Sequence, residues 1–330
     1  MLTNEKILIF GGSGSLGHAL VKRYVSTNEI VIYSRDESKH WSMQQTFDKW
    51  KCHMSYVIGD IRDKEKVKKT IMQSKPTYII IASALKHIDK CENDVHECIM
   101  TNIIGTKNII DSIEELQCEG IKAICFISTD KACSPVNVYG MSKGICEGMM
   151  IEKALKNKGC KFVCVRYGNV LNSRGSIIPL LHSIGANPEI DYFTITDERM
   201  TRFIMTLDES VDLIEHALVV AESGDIVISK LKSMWIKDLI ELFSEIYKKD
   251  VKLGKLRPGE KLLEALVNET QSSRLVKDVG TGYMYIKPHF STCSSSVVTE
   301  YNSTHGLVTK DELREILQAA QLLSHSSSFQ

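Results

Sequence analysis

The chain has 330 residues, of which 43% are hydrophobic, and its 41 Lys and Arg residues balance its 41 Asp and Glu residues. This length suffices for one large domain or two interleaved ones, and a neutral charge argues against a general nucleic-acid or membrane-surface binder. The longest apolar run, 77–85, is too short to span a bilayer, and the N-terminus lacks a signal-peptide pattern, so we expect a cytoplasmic protein without membrane contact. The ten Cys residues include no C-x-x-C pair, which predicts reduced thiols and no metal site.

The first half of the chain alternates between strand and helix patterns. Apolar strands are predicted at 6–12, 29–35, 54–60, 77–82, 122–129 and 161–168. Helices are predicted at 15–26, 64–73, around 94–117 and around 139–158, with a further polar helical segment after the second strand. Near-continuous apolar strands that alternate with helices form parallel sheets covered on both faces. The pattern therefore predicts an α/β fold with a doubly wound (Rossmann) parallel sheet.

After residue 170 the pattern becomes richer in loops. Residues 1–170 are expected to form a dinucleotide-binding domain, completed by a helix and strand at about 207–229. The intervening and following segments, 171–206 and 230–290, are expected to form a smaller, interleaved substrate-binding region. The remaining residues, 291–330, are predicted to hold a helix near 309–323 that begins with a Thr309–Glu312 capping box, followed by a disordered tail.

A glycine-rich loop, "IFGGSGSLGHAL", joins the first strand to the first helix. Glycines in such a loop allow a tight turn and let the backbone approach a pyrophosphate at the helix N-terminus. Because the loop stands between a strand and a helix, it predicts a dinucleotide site rather than a plain turn. The residues assigned to this site are Gly11, Ser13, Gly14, Ser15, Leu16 and Gly17.

The end of the second strand distinguishes NADP from NAD. An acidic residue at this position holds the ribose 2′-hydroxyl of NAD, whereas a cation suits the 2′-phosphate of NADP. Ser34 and Arg35, with Lys39 nearby, favour NADP, although Asp36 keeps NAD open as the alternative. After the third strand, Asp60 and Ile61 fit an adenine contact, and a strand-end cap would account for them equally well.

A Tyr–Lys pair is predicted on one face of a helix, because Tyr139 and Lys143 are four residues apart. A buried ammonium and the nicotinamide charge would lower the pKa of Tyr139, which could then deprotonate a sugar hydroxyl as hydride leaves. Thr129 ends the preceding strand and can bind the same hydroxyl, since ligands bind at this edge of open α/β sheets. Asp130 and Lys131 follow at the lip of the same crevice.

The Asp130–Lys131 pair can add a second reaction to the hydride transfer. Oxidation of a sugar C4 hydroxyl to a ketone acidifies the C5 proton. Lys131, with a lowered pKa, could remove that proton while a protonated Asp130 delivers a proton to the departing C6 hydroxyl. Return of the hydride to C6 would complete a dehydration. A solvent-exposed ion pair on a loop would contain the same two residues without this chemistry.

The chain, to about residue 290, resembles the extended short-chain dehydrogenases/reductases and, among them, the UDP-N-acetylglucosamine 4,6-dehydratases that invert C5 and have no membrane anchor. The resemblance rests on "GGSGSLG", "IYSRDE", "GDIRD", "ASALKHIDKCE", "TNIIGTKNII", "STDKACSPVNVYGMSK", "VRYGNVLNSRGSIIP", "ITDERMTRF" and "LRPGEKLLE". In this family Asp-Lys follows Ser-Thr, where common hexose 4,6-dehydratases have Asp-Glu. The long membrane-anchored relatives often carry Met in place of Tyr139.

The resemblance implies a role for individual residues. The implied catalytic residues are Thr129, Asp130, Lys131, Tyr139 and Lys143. Ala82 and Val170 would contact a tightly bound NADP+. The implied contacts with UDP-N-acetylglucosamine are Lys86, Asn169, Arg174, Thr196, Arg202, Arg257 and Glu260.

The resemblance also implies the overall reaction and assembly. The product would be UDP-2-acetamido-2,6-dideoxy-β-L-arabino-hex-4-ulose, and 171–206 with 230–290 would bind the UDP-sugar. Relatives form homo-oligomers, so a dimer to hexamer is expected. A UDP-sugar 4-epimerase, which needs the Tyr–Lys pair but no dehydration pair, is the nearest alternative. A catalytically inactive NADP-binding scaffold is the alternative of another class.

Overall fold

The computed structural model describes residues 1–117, 119–157, 159–173, 175–291 and 299–324. The strands, in chain order, are β1 Lys6–Phe10, β2 Glu29–Ser34, β3 Met54–Ile58, β4 Tyr78–Ile81, β5 Ala123–Ile127, β6 Lys161–Val165, β7 Asn169–Val170, β8 Tyr192–Ile195, β9 Thr201–Met205, β10 Ile226–Ser229, β11 Lys232–Trp235, β12 Asp250–Leu253, β13 Ala265–Val267, β14 Leu275–Lys277, β15 Tyr283–Ile286 and β16 Tyr301–Asn302. The α-helices are α1 Ser15–Tyr24, α2 Glu37–Thr46, α3 Lys64–Ser74, α4 Ile88–Asn93, α5 Val95–Cys98, α6 Gly105–Glu115, α7 Val138–Lys156, α8 Ile177–Ala186, α9 Leu207–Val219, α10 Ile236–Tyr247, α11 Glu269–Ser272 and α12 Lys310–Ala319. None of the helices in these ranges is long and apolar enough to cross a membrane.

A nine-stranded sheet forms the centre of the molecule, in the order β14-β15-β10-β6-β5-β4-β1-β2-β3. Within this order, each strand of the series β10-β6-β5-β4-β1-β2-β3 is parallel to its neighbours in that series. Side chains of β1 alternate between the two faces: Leu8 and Phe10 pack under α3, α6 and α7, whereas Ile7 and Ile9 pack under α1, α2 and α9. Both faces are therefore buried, and the predicted doubly wound parallel sheet is confirmed.

Two strands of this sheet were not anticipated by the sequence pattern. β15 pairs antiparallel with β10, and β14 pairs antiparallel with β15. Residues 230–290 are expected to form part of the substrate-binding region, but residues 275–286 extend the main sheet. β14 and β15 are only three and four residues long. Their position in the sheet depends on β10, a strand far away in the chain.

The helix expected around 94–117 is divided into three parts. The π-helical segment Ile99–Ile104 joins α5 to α6. Within this segment Asn102 directs its side chain away from the helix, accepting from the backbone N–H of Leu85 at 2.8 Å and donating to its carbonyl at 3.0 Å. Such π-turns often occur at functional sites, and this one holds the loop that follows β4 beside the edge of the sheet.

A smaller layer covers the carboxyl end of the main sheet. It contains the sheets β11-β9-β7, β12-β8 and β13-β16, and its core is formed by apolar residues of α8, α10 and α12. Thr309 and Glu312 form the predicted capping box at the start of α12. The predicted disordered tail lies outside the described residues from 325 onward. A cleft remains between this layer and the sheet edge.

Candidate active site

The glycine-rich loop fits a dinucleotide pyrophosphate. Gly11 has φ +81°, and a Cβ atom there would lie 2.7 Å from the Cα of Ser83. A Cβ atom on Gly17 would lie 1.8 Å from the carbonyl oxygen of Gly12. The loop therefore depends on glycine at both positions. Since Gly14 immediately precedes α1 and has no side chain to cap it, backbone N–H groups at this positive helix end can bind an anion.

The end of β2 presents hydroxyl and cationic groups to the same cavity. The Ser34 hydroxyl donates to the Ser13 hydroxyl at 2.8 Å. Arg35 lies 3.6 Å from Asp60, and Lys39 lies 2.8 Å from Asp36. Asp36 also caps α2 by accepting from the Lys39 backbone N–H at 3.0 Å, so its carboxylate has a structural role at the position where NAD enzymes bind a ribose.

Asp60 is held by a neighbouring arginine and does not line the cavity. Its carboxylate accepts from Arg62 Nε at 2.9 Å and Nη2 at 2.7 Å. Burial works to raise the pKa of Asp60, but these bonds and the nearby Arg35 lower it overall. The adjacent Ile61 does line the cavity. The adenine contact expected of this pair can therefore come from Ile61, with Asp60 fixing the turn after β3.

Tyr139 and Lys143 lie in the first two turns of α7, whose N-terminus is capped by Asn137. The Lys143 ammonium donates to the carbonyl of Ile127 at 2.8 Å, and burial lowers the pKa of Lys143 to about 8. Burial raises the pKa of Tyr139 to about 12, although the Lys131 ammonium acts in the opposite direction. Without the nicotinamide charge, desolvation of the phenolate outweighs the neighbouring positive charge, so the predicted lowering of the Tyr139 pKa depends on the cofactor.

A cluster of buried charges surrounds Lys131. Its ammonium lies 3.0 Å from Asp130 Oδ1 and 3.6 Å from Glu264 Oε1. The Thr129 hydroxyl donates to the same Asp130 oxygen at 2.8 Å, and the other oxygen of each carboxylate has no hydrogen-bond partner among the described residues. Asp130 is fully buried and Glu264 is 2% exposed. Two carboxylates therefore share one ammonium at the wall of the cavity.

This cluster corrects the expectation for the Lys131 pKa. Burial works to lower the pKa of Lys131, but the attraction of Asp130 and Glu264 outweighs it and raises the pKa above its usual value. Burial also raises the pKa of Glu264, against the attraction of Lys131. The prediction of a lowered Lys131 pKa is therefore wrong for the protein alone, and Lys131 is an ammonium at neutral pH.

Arg202 lies beside the cluster and is largely committed to backbone carbonyls. Its Nη1 donates to Thr201 at 2.8 Å and to Leu262 at 3.2 Å, and its Nη2 donates to Lys261 at 3.0 Å. Its Nε is 4.0 Å from Glu264. Arg202 therefore fixes the loop between β12 and β13 at the wall of the cavity, where its positive charge can also face an anionic ligand.

The mouth of the cavity contains three further predicted substrate contacts, Arg257, Glu260 and Lys86. Arg257 donates to Glu260 at 2.7 Å and lies 3.6 Å from Asp89 across the opening. Burial works to raise the pKa of Glu260, but the bonds from Arg257 lower it overall. Burial lowers the pKa of Lys86. Arg174 lies outside the described residues.

One cavity of about 1350 Å³ joins the glycine loop to this mouth. This volume exceeds the range of about 300–1,000 Å³ typical of a site for one small ligand. The predicted residues that line it are Gly11, Ser13, Gly14, Ser15, Leu16, Ser34, Arg35, Asp36, Lys39, Ile61, Ala82, Lys86, Thr129, Lys131, Tyr139, Lys143, Asn169, Val170, Thr196, Arg202, Arg257 and Glu260. Gly17, Asp60 and Asp130 lie behind its wall. The cavity has room for a dinucleotide and a second ligand.

Two residues of the site were missed in the sequence. Glu264 lies in "KLLEALV", where a single acidic residue among leucines is typical of a solvent-facing position. Asn102 lies in a helical pattern, and its bonds to Leu85 and to the Ser142 hydroxyl at 2.9 Å tie the loop after β4 to α7. The signal for Glu264 was its position four residues after Glu260, in a motif already assigned to the site.

Known proteins resemble this chain over most of its length. The family model described as polysaccharide biosynthesis protein matches residues 7–285. A UDP-N-acetylglucosamine 4,6-dehydratase (inverting) from Campylobacter jejuni is 37% identical over 277 residues, which cover 82% of this chain and 80% of that protein. A UDP-glucose 4-epimerase from Rickettsia prowazekii is 35% identical over 294 residues, which cover 86% of this chain and 83% of that protein.

A solved structure agrees with the fold across the whole chain. The X-ray structure of Pen from Bacillus thuringiensis is 28% identical, with a TM-score of 0.88, and the match covers 98% of this chain and 99% of that chain. The resemblance inferred from the sequence motifs is thus confirmed. The chain belongs to the polysaccharide biosynthesis protein family, among the extended short-chain dehydrogenases/reductases that include the inverting UDP-N-acetylglucosamine 4,6-dehydratases.

Proposed function

We propose that this chain is an NADP-dependent UDP-N-acetylglucosamine 4,6-dehydratase that inverts C5. The observation that carries the proposal is the contact between Lys131 and Asp130 at 3.0 Å beside Thr129 and Tyr139, in a cavity large enough for two ligands. A dehydratase needs an acid and a base in addition to the Tyr–Lys pair. The relative from Campylobacter jejuni that carries the dehydratase name supports the same reaction.

The first stage uses Tyr139 and Lys143. A nicotinamide cofactor, when bound, accepts hydride from C4 of the sugar and later donates it to C6. Tyr139 takes the proton of the C4 hydroxyl, for which it must be a phenolate. Its pKa of about 12 is set by burial, and the positive charge of an oxidised nicotinamide would act with the Lys131 ammonium to lower that pKa. Lys143, fixed on the carbonyl of Ile127, lies one helical turn away on the same face.

The elimination uses the Asp130–Lys131 pair. Transfer of one proton from the Lys131 ammonium to the Asp130 carboxylate gives an amine and a carboxylic acid, which are the base and the acid that the step requires. No proton is exchanged with solvent in this transfer. The amine then takes the C5 proton, and the Lys131 ammonium that forms is stabilised by Glu264 at 3.6 Å.

The acid reaches the substrate through a hydroxyl group. Asp130 is fully buried behind the cavity wall, whereas Thr129 lines the cavity and is hydrogen-bonded to Asp130 at 2.8 Å. A protonated Asp130 donates to Thr129, whose own proton passes to the departing C6 hydroxyl. One water molecule leaves, and the pair is again an ammonium and a carboxylate. The later protonation of C5 consumes one further proton, which is balanced by the proton that Tyr139 took from the C4 hydroxyl.

The charges at the mouth suit a nucleoside diphosphate. Arg202 and Arg257 can bind phosphate oxygens, and Glu260 can accept from ribose hydroxyls. The preference for NADP is supported by Ser34, Arg35 and Lys39 in the cavity wall and by the helix-capping role of Asp36. Heating the purified protein and identifying the released nucleotide by chromatography tests this choice, and release of NAD alone would contradict it.

Incubation with UDP-N-acetylglucosamine in D₂O tests the reaction. The proposal expects a product lighter by one water, with deuterium at C5 and the L-arabino configuration by NMR. Tyr139→Phe serves as an inactive control with the cavity otherwise intact. Conversion to UDP-N-acetylgalactosamine at unchanged mass would instead establish a 4-epimerase, the activity named for the relative from Rickettsia prowazekii.

A further inference from the structure

A buried histidine stands behind the hydroxyl group assigned to NADP. His40 of α2 is 3% exposed and does not line the cavity. Its Nε2 lies 2.6 Å from the Ser34 hydroxyl, which in turn lies 2.8 Å from the Ser13 hydroxyl. Both serines line the cavity. Hydrogen bonds therefore connect three polar side chains in series, from His40 in α2 through Ser34 at the end of β2 to Ser13.

The donor and the acceptor of each hydrogen bond in this series can be assigned. Ser34 has one hydroxyl proton, which it donates to Ser13, so its bond with His40 is accepted from the ring Nε2–H. The other ring nitrogen, Nδ1, has no hydrogen-bond partner among the described residues. The opposite tautomer would bury an unpaired N–H group, which proteins avoid more strictly than an unpaired acceptor. His40 is therefore the donor.

The surroundings keep His40 a neutral donor. Tyr56 of β3 packs against its ring, with centroids 5.4 Å apart, and burial lowers the pKa of His40 although Asp36 acts in the opposite direction. The nearby cation of its own helix, Lys39, is paired with Asp36 at 2.8 Å. At neutral pH His40 thus acts through its hydrogen bond rather than through a positive charge.

We propose that His40 is a positioning residue that determines specificity for the 2′-phosphate of NADP, by donating to Ser34 so that Ser34 and Ser13 both turn their hydroxyl protons to the phosphate. The inference rests on the proposed use of NADP. Ser13 accepts from Ser34 and keeps its own hydroxyl proton for a phosphate oxygen, and the Ser34 proton can rotate from Ser13 to the phosphate as well. Hydrogen bonds that end on an anion are stronger than neutral ones, and successive bonds in a chain polarise one another. The 2′-hydroxyl of NAD carries no charge, so these hydrogen bonds stabilise it less than they stabilise a 2′-phosphate.

Binding of adenosine 2′,5′-bisphosphate and of 5′-AMP, measured by calorimetry on the whole chain, separates this role from general damage. The two probes differ only in the 2′-phosphate. His40→Leu should weaken binding of the bisphosphate by up to about tenfold, the upper size expected for one lost neutral hydrogen bond, and leave 5′-AMP within about twofold. His40→Gln keeps an N–H donor at a similar position and should restore most of the bisphosphate affinity.

The same data distinguish failure of the inference from failure of the NADP proposal. Equal affinity of the unmodified protein for both probes refutes the NADP preference and, with it, the role of His40. The role of His40 alone is refuted in two cases. In the first, the protein prefers the bisphosphate and His40→Leu leaves that preference intact; in the second, His40→Leu weakens the binding of both probes equally. Should His40→Leu fail to fold, NMR of the His40 Nε2–H in the unmodified protein decides the matter. A shift on adding the bisphosphate but not 5′-AMP supports the relay, and no difference between the probes overturns it.

Discussion

Replacing Lys131 by methionine should destabilise the fold, because this ammonium is the cation shared by two buried carboxylates. Asp130 and Glu264 lie 3.0 and 3.6 Å from Lys131 Nζ. Lys131→Met keeps the length of the side chain and removes its charge. Both carboxylates then remain buried, with only Thr129 donating to Asp130 and Arg202 Nε 4.0 Å from Glu264.

The expected loss follows from the geometry. With an effective dielectric constant of about 20, charges 3 to 4 Å apart attract each other by about 4–5 kcal/mol. Desolvation of the ammonium offsets part of this attraction, and breaking a buried pair typically costs about 3–5 kcal/mol. We therefore expect Lys131→Met to lower the free energy of unfolding by about 3 kcal/mol at slightly alkaline pH. Adding Glu264→Gln, which removes one uncompensated charge, should recover about half of that loss.

The loss should depend on pH in a defined direction. Burial raises the pKa of Glu264 above its value in the unfolded chain, so its contribution to stability is full below the unfolded pKa and is lost as pH rises through the folded pKa. Without Lys131, which opposes this shift, the folded pKa rises further. The difference between the unmodified protein and Lys131→Met should thus be small near pH 5 and full near pH 8.

Urea unfolding followed by circular dichroism measures these differences. The single variants and the double variant are compared with the unmodified protein at both pH values. A Lys131→Met variant within about 0.5 kcal/mol of the unmodified protein at both values would refute the shared-cation argument, since uncharged surface substitutions have effects of that size. A loss that is equal at both values would show that Glu264 does not take up the proton.

Three further outcomes follow from individual contacts. Tyr139→Phe should bind cofactor but produce no absorbance of reduced nicotinamide on adding UDP-sugar, because the group that takes the hydroxyl proton is lost; normal reduction would refute its role. Gly17→Ala should abolish cofactor binding, since its Cβ would lie 1.8 Å from the Gly12 carbonyl oxygen. Gly148→Ala is the control: this position lies in open space on α7, and the substitution should stabilise the protein by about 1 kcal/mol. Equal melting temperatures and cofactor affinities for the two variants would contradict this packing. Thr309→Ala should lower the free energy of unfolding by about 1 kcal/mol without changing activity, and an unchanged value would show that the capping box contributes nothing.

The main sheet could be predicted because its strands are buried on both sides. In β1 every residue from Ile7 to Phe10 is fully buried, so the strand is a continuous apolar run with little ambiguity. β14 lacks this signal, since Val276 and Lys277 are exposed, and β15 is buried at three positions but is only four residues long. A short, half-exposed antiparallel strand is defined by its partner rather than by its own residues.

The site was predictable where it depends on short motifs and not where it depends on distant contacts. Tyr139, Lys143 and the glycine loop each lie within one strand–helix unit, so their spacing predicts their geometry. The raised pKa of Lys131 in the protein alone was not foreseen, because Asp130 raises it together with Glu264, a residue of another motif that approaches only in the folded chain. The donor role of His40 likewise depends on the hydrogen-bond directions around Ser34.

The contact of Glu264 with Lys131 belongs to a wider connection between residues 257–264 and the segment that follows β5. Lys261 donates to the carbonyl of Cys133 at 2.9 Å, and the Asn137 amide donates to the carbonyl of Gly259 at 2.8 Å. Asn137 also caps α7, the helix that carries the Tyr–Lys pair. The segment that contains Arg257, which is expected to bind phosphate, is therefore fixed by hydrogen bonds near the start of α7 and by charge to Lys131. If Lys131 is the proposed base, a ligand that displaces residues 257–264 would change the distance between Glu264 and Lys131, and with it the charge that holds Lys131 as an ammonium.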